Sequence, residues 1–222
     1  MDKAKLALLA VAVNPLIGGV LLRGDKGTGK TTLVRSFADV LPEIEVVADC
    51  PFNCDPRDPQ LMCDSCYARY QRGERLPVAI KKMRVVDLPP LSITVDRLIG
   101  TLDIKRAITE GVRAFQPGLL AEANRNILYI DEVNLLDDYI IDVLLDAVAY
   151  GWNIVEREGG VSVRHPARFI LVASMNPEEG ELRPQLLDRF GLIVDVEAPR
   201  DQRLGLRLLG GLRSSIGILR LL

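Results

Sequence analysis

Apolar positions along the chain fall into short continuous runs, separated by stretches with a period of three to four, the alternation expected of buried strands and amphipathic helices. Lys3 to Val13 is rich in Ala and Leu and predicts a helix that stops before Asn14-Pro15, a pair suited to a turn. Ile17 to Leu22 is an apolar run that predicts a buried strand, and Thr32 to Leu41 then sets Leu33, Phe37 and Leu41 on one helical face. Glu45 to Ala48 predicts a short strand, and Ala79 to Leu88 another that Pro89-Pro90 ends. Asp103 to Ala114 has helical spacing through Ile104, Ala107, Ile108 and Val112, and Pro117-Gly118 predicts a projecting loop over Phe115 to Leu120. Asn126 to Ile130 predicts a strand, and Asp137 to Tyr150 a helix with a broad apolar face, begun by Asp137 or Asp138. Asn153 to His165 alternates around Gly159-Gly160 and predicts a β-hairpin. Arg168 to Ser174 and Leu192 to Val196 predict strands on either side of a short helix at Leu182 to Arg189. Strands alternating with helices predict an α/β domain: a mainly parallel five-stranded sheet, helices on both faces, and a ligand at the carboxyl ends of the strands.

Composition narrows this picture only a little. The 222 residues can bury a core of one α/β domain, and 48% hydrophobic with 26% charged residues describes a globular protein. A net charge of −2 gives no general attraction to nucleic acid. No apolar run reaches the ~18 residues of a membrane span, and no charged leader with an apolar core opens the chain, so a cytoplasmic location is expected.

Chemistry enters between the first strand and its helix, where Gly24-Asp25-Lys26-Gly27-Thr28-Gly29-Lys30-Thr31 reads G-x-x-x-x-G-K-T. Glycines let the backbone turn with positive φ and approach a polyphosphate, so that amide groups and the helix N-terminus face the anion. Lys30 supplies a point charge for the β- and γ-phosphates, Thr31 a hydroxyl for Mg²⁺, and Thr32 extends the run expected to line ATP. Asp131-Glu132 ends an apolar strand in the Walker B manner, Asp131 suited to hold Mg²⁺ and Glu132 to polarise the attacking water. A lone Asp-Glu pair at a strand end is usually a surface pair, but the glycine loop upstream favours function. Asn176 closes the next apolar strand, where its amide can reach a phosphate oxygen or the water, or simply form an Asn-Pro turn. Arg183 and Arg189 flank the short helix and can either face solvent or neutralise a γ-phosphate, in trans if the chain forms a dimer or a ring. His165, the single histidine, is expected on the surface of the hairpin.

The four cysteines all lie in Cys50-x3-Cys54-x8-Cys63-x2-Cys66. Two close pairs in a short, proline-rich loop can close round a tetrahedral metal, with zinc the simplest ion and an iron–sulfur cluster using the same four thiolates. Reduced structural cysteines are the alternative.

Three segments resemble the AAA+ module of the ATPase subunits of magnesium chelatase and cobaltochelatase. They are IGGVLLRGDKGTGKTTLVRSFADVLPEIEVV, DRLIGTLDIKRAITEGVRAFQPGLLAEANRNILYIDEVNLLDDYIIDVLLDAVAYG and NPEEGELRPQLLDRFGL, within about Lys5 to Arg200. The resemblance implies a P-loop AAA+ fold, a three-layer αβα sandwich with β-hairpin insertions around Phe115 to Leu120 and Asn153 to His165. It implies ATP hydrolysis with Mg²⁺, driving insertion of Mg²⁺ or Co²⁺ into a tetrapyrrole. By position it implies Walker A at Lys30 and Thr31, Walker B at Asp131 and Glu132, sensor 1 at Asn176, and an arginine finger at Arg189 that reaches a neighbour's ATP. Implied partners are further copies in a hexameric ring, a large catalytic chelatase subunit and a second ATPase-like subunit. Residues 1–200 are expected to form the AAA+ core with a Cys-rich insert at 50–66, and 201–222 an atypical tail without the family's helical lid. A scaffold that binds nucleotide without turnover, and a remodelling ATPase acting on another protein or on DNA, are the competing functions. Glu156 and Glu158 beside Arg157 and Arg164 make the hairpin poor for phosphate contact.

Overall fold

A computed structural model describes residues 1–102, 115–157 and 161–197. In chain order the elements are α1 (Asp2–Val13), β1 (Val20–Arg23), α2 (Lys30–Ala38), β2 (Glu43–Val47), α3 (Asp64–Gln71), β3 (Val78–Lys82), β4 (Val85–Leu88), α4 (Val95–Ile99), β5 (Gly100–Leu102), β6 (Phe115–Pro117), α5 (Leu119–Ala123), β7 (Ile127–Ile130), α6 (Asp138–Tyr150), β8 (Trp152–Arg157), β9 (Val161–Pro166), β10 (Ile170–Met175), α7 (Pro184–Leu187) and β11 (Leu192–Asp195). Five of the strands form one sheet in the order β11-β1-β10-β7-β4, every pairing parallel. Parallel strands need crossovers, and these carry the helices to both faces, which is why the strands read as unbroken apolar runs.

Side-chain alternation assigns the two faces. Val20, Leu22, Ile127, Tyr129, Ile170 and Val172 pack toward α1 and α2 against Leu8, Val11, Val34 and Phe37. Their neighbours Leu21, Leu128, Ile130, Leu171 and Ala173 point the other way, onto Ile140, Ile141, Leu144 and Ala147 of α6. All four strand carboxyl ends that matter for a ligand, those of β1, β7, β10 and β4, open on one edge, as the parallel registers require.

The structure departs from the sequence reading at several places. The first strand starts at Val20 because Pro15–Ile17 forms a 3₁₀ turn and Gly18 has φ 98°, so Ile17 lies outside it. The apolar run Ala79 to Leu88 is two strands: β3 pairs antiparallel with β2 outside the main sheet, whereas β4 forms the edge of that sheet. The expected loop at Phe115 to Leu120 begins as β6, paired antiparallel with β5, and goes on into α5. The helix α3, which starts at the end of the cysteine-rich stretch and runs on to Gln71, was not foreseen by periodicity, and the short helix expected at Leu182 to Arg189 covers only Pro184–Leu187. The hairpin is present as β8 and β9 with Trp152 opposite Pro166. Its Gly159-Gly160 turn, the expected helix at 103–114 and the tail at 201–222 lie outside the described residues. Among the described residues, no helix is long and apolar enough to cross a membrane.

Candidate active site

The loop from Gly24 to Gly29 leaves the carboxyl end of β1 and enters α2. Gly27 and Gly29 have φ of 82° and 83°, the left-handed region in which a Cβ is strained. Gly24 is required for a different reason: a Cβ there would stand 2.1 Å from the Val196 carbonyl oxygen. Lys30 turns back into the loop, its ammonium donating to the carbonyls of Gly24 at 2.7 Å and Asp25 at 2.8 Å and lying 3.3 Å from Thr28 Oγ1. Thr28 Oγ1 donates to Asp25 O, which ties the turn together. Burial lowers the Lys30 pKa, while the carboxylates of Asp131, Asp25, Glu132 and Glu179 oppose that shift. An ammonium cradled by carbonyl oxygens and facing several carboxylates is placed to receive a polyanion. Asp25 and Lys26 form the exposed outer rim of the loop, and Thr32 is exposed on the first turn of α2.

Thr31, on α2, and Asp131, just past β7, approach across the sheet edge, with Thr31 Oγ1 donating to Asp131 Oδ2 at 3.1 Å. Asp131 Oδ1 accepts from Tyr129 OH at 2.9 Å and from Ser174 Oγ at 2.5 Å. Tyr129 and Asp131 are two residues apart on the same side of the chain, and Ser174 reaches across from β10. Burial first of all pushes the Tyr129 phenol up to about 12, so it remains a neutral donor to the carboxylate. A hydroxyl and an oriented carboxylate are hard oxygen donors of the kind that suit Mg²⁺, and these residues fit that ion.

Glu132 has φ 56° and ψ 56°, a left-handed conformation uncommon for a residue with a Cβ, and its amide donates to Ser174 Oγ at 3.1 Å. This kink turns the Glu132 carboxylate to the glycine loop, where it pairs with Lys26 at 3.0 Å; Lys26 also lies 3.7 Å from Glu179. Because the Lys26 ammonium is largely exposed, such a pair is weak and easily replaced by a more highly charged ligand. Asn176 follows β10, which pairs with β1 and places it beside the start of the loop: Gly24 N donates to Met175 O at 3.1 Å. Its Oδ1 accepts from Glu178 N at 3.2 Å, an Asx turn at the strand end.

The two arginines part company. Arg183 is bound to α6, 3.1 Å from Asp142 Oδ1 and 3.4 Å from Asp138 Oδ1. Arg189 is exposed, and its carbonyl accepts from Gly19 N at the amino end of β1. The glycine loop leaves the opposite end of that strand, so four residues at about 3.3 Å each separate the Arg189 backbone from its own phosphate loop.

Residues 103–183 match the family described as magnesium chelatase, subunit ChlI. The chain is 66% identical over 200 residues to a magnesium-chelatase subunit ChlI homolog of Methanocaldococcus jannaschii, covering 90% of this chain and 53% of that protein. It is 60% identical to the chloroplastic magnesium-chelatase subunit ChlI of Chlamydomonas reinhardtii, covering 93% of this chain and 49% of that one. Among solved structures, BchI in the complex between subunits BchI and BchD of magnesium chelatase superposes with a TM-score of 0.74 at 54% identity, over 93% of this chain and 62% of that one. The chain belongs to the magnesium chelatase ChlI family. It has the AAA+ P-loop fold of BchI, with a five-stranded parallel sheet flanked by helices. It spans about half the length of the ChlI relatives named above. NtrX of Brucella abortus, at 19% identity and a TM-score of 0.51 over 88% of this chain and 35% of its own, is alike in fold alone.

Away from the glycine loop, this ChlI-family chain gathers its four cysteines. The sulfurs of Cys50, Cys54, Cys63 and Cys66 all lie within 4.8 Å of one another, and all four residues are buried and free. The thiol of Cys50 is held far below the ordinary thiol range, chiefly by its contact with Cys54 and then by those with Cys63 and Cys66. His165 corrects the expectation of a surface residue, since it is 0% exposed. Its ring stacks on Phe52 with centroids 4.6 Å apart, because inward positions of β9 face the apolar cluster around the cysteines. Burial lowers the His165 pKa, and the neutral ring sits between Pro166 O and the Asn153 amide.

Sequence reasoning missed Tyr129, Ser174 and the pairing of Lys26 with Glu132. The parity of the strands is a usable signal for the first two, since Tyr129 stands two residues before Asp131, and Ser174 two before Asn176.

Proposed function

We propose that the chain binds Mg²⁺-ATP and hydrolyses it as the motor subunit of a metal chelatase, driving insertion of Mg²⁺, or of Co²⁺, into a tetrapyrrole. The observation that carries the reading is the convergence of Lys30, Thr31 and Asp131, with Glu132 next to them, at the mouth of a glycine loop. Lys30 and the loop amides hold the β- and γ-phosphates, and Thr31 with Asp131 would hold Mg²⁺. Bound there, the ion screens the phosphate charge and stabilises the leaving group. Tyr129 and Ser174 keep the Asp131 carboxylate aimed, each donating to its Oδ1. Glu132, released from Lys26 when phosphates take that lysine's charge, orients the water and accepts its proton. Asn176 contacts the γ-phosphate or the water from the neighbouring strand.

Arg189, whose backbone lies at the amino end of β1, a strand's length from its own loop, acts on the ATP of an adjacent copy, which calls for a ring, hexameric in this reading. The further partners are a second ATPase-like subunit, supported by the likeness to BchI in complex with BchD, and a large catalytic subunit that holds the tetrapyrrole. Residues 1–200 serve as the AAA+ module of this assembly.

The test is ATP hydrolysis with and without Mg²⁺ for the wild type and Glu132→Gln, alongside nucleotide binding. A motor hydrolyses ATP only with Mg²⁺ and loses turnover, not binding, in the variant. Binding without hydrolysis in both would identify a scaffold instead. Metal insertion into a porphyrin by the assembled subunits tests the chelatase assignment separately, and salt-sensitive DNA binding would favour a remodelling ATPase.

A further inference from the structure

The cysteine cluster has no part in the nucleotide chemistry, yet its geometry is more ordered than four chance thiols require. Cys50 Sγ lies 3.5 Å from Cys54 Sγ and 3.8 Å from Cys63 Sγ, and the whole set fits within 4.8 Å. A zinc ion with Zn–S bonds of about 2.3 Å at tetrahedral angles separates its sulfurs by about 3.8 Å. An iron–sulfur cluster binds each thiolate to a different corner iron or spreads them over two irons, which sets some or all of the sulfurs well farther apart. The observed spacing is therefore that of a single-ion tetrathiolate.

The surroundings agree. Backbone amides point at the sulfurs, Phe52 N at Cys50 Sγ (3.5 Å) and Cys63 N at Cys54 Sγ (3.1 Å), as suits thiolates that carry charge inside a protein. The shell is apolar, made by Phe52, Met62, Leu76, Phe115, Val155 and Val163, and closed to solvent, which is the character of a structural site without an open position. Both nitrogens of His165 are engaged by Asn153 and Pro166, so the donor set is four sulfurs and no imidazole. The loop that carries the first pair is clamped independently of any ion: Asn124 Nδ2 donates to Phe52 O at 2.8 Å, and Arg125 pairs with Asp55 at 2.8 Å.

We propose that Cys50, Cys54, Cys63 and Cys66 bind one Zn²⁺ as a closed tetrathiolate site, which fastens residues 50–66 beneath the β5–β6 and β8–β9 pairs. The mechanical consequence follows from Phe52, between the first two ligands, whose ring stacks on His165 of β9 and lies 5.7 Å from Phe115 of β6. Holding the loop holds the base of both insertions.

The experiment is metal analysis of the whole chain purified without oxygen, with cobalt substitution of the wild type. Expected are one zinc per chain, its release by a mercurial that titrates thiols, and strong visible absorption from Co²⁺ in a tetrahedral thiolate field. Cys63→Ser/Cys66→Ser should lose both zinc and the cobalt spectrum, whereas Lys30→Ala, altered only in the glycine loop, should keep them. Folded protein without metal, iron with acid-labile sulfide, a pair of disulfides, or a pale octahedral cobalt spectrum would each overturn the proposal. The wild-type cobalt spectrum decides even if the double variant does not fold, and none of these results bears on ATP hydrolysis.

Discussion

At the scale of single residues, two kinds of side chain share the candidate site, and they should respond differently to removal. Lys30 makes three contacts within the loop and is buried to 8% exposure, so its ammonium is already in place before any nucleotide arrives. Hydrogen bonds to charged groups contribute about 1.5–3 kcal/mol, so Lys30→Ala should weaken Mg²⁺-ATP binding by roughly 10- to 150-fold, read by titration of a fluorescent ATP analogue. Tyr129 touches Asp131 and Thr31 but stays under the sheet edge, and it acts by positioning. Tyr129→Phe removes one donor to the carboxylate without changing the packing volume. Its expected signature is a higher Mg²⁺ requirement at nearly unchanged affinity for metal-free nucleotide; equal loss of both would mean that the ring merely supports the fold. Both cases turn on how legible a residue is. Lys30, Thr31 and Asp131 stand out because the spacing G-K-T and the strand-end acid are chemical patterns in the sequence itself. Tyr129 and Ser174 look like ordinary strand residues until the register Leu22↔Ser174 and Leu171↔Leu128 brings them to one carboxylate.

At the scale of elements, α6 allows two energetic effects to be compared. Asp137 caps it by accepting from Tyr139 N at 2.9 Å, and Leu144 is 0% exposed against the sheet. Losing such a cap costs about 0.5–2 kcal/mol, and emptying a buried leucine site about 2–5 kcal/mol. At roughly 2–4 °C per kcal/mol for a chain of this size, Leu144→Ala should lower the melting temperature about two to three times as far as Asp137→Ala. The reverse order in a thermal melt would place the packing of α6 elsewhere. The cap and the apolar face were both readable in the sequence, since periodicity and a capping acid are local properties. The fate of Ala79 to Leu88 was not. A strand's own residues do not say which neighbour it pairs with, so β3 and β4 read as one strand although they belong to different sheets.

For the whole molecule, the separation between Arg189 and its own glycine loop is the decisive feature. The Arg189 backbone, held by Gly19 N at the amino end of β1, stands a strand's length from the loop at the carboxyl end. If the proposed ring forms and the finger acts in trans, mixing Arg189→Ala with Lys30→Ala chains should restore hydrolysis at interfaces where an intact loop meets an intact arginine, in proportion to their statistical share. Absence of recovery in rings shown to assemble would count against action in trans. The same long-range view explains His165. Its position on a hairpin suggests exposure, but that face of β9 closes over the cysteine cluster, and burial leaves the ring neutral.

Features that depend on near neighbours can be read along the chain: the alternation of buried strands and helices, the glycine loop whose backbone must turn tightly, the acid pair ending a strand, and the paired spacing of the cysteines. Packing of distant segments settles the rest: which strands lie side by side, that Ser174 and Tyr129 orient Asp131, that Lys26 holds Glu132, that Arg183 is bound to α6 while Arg189 stands exposed, and that four sulfurs meet at single-ion spacing. These depend on contacts between residues tens of positions apart, and the free energy of burying apolar faces, which selects among those pairings, belongs to the packed whole and to no single segment of it.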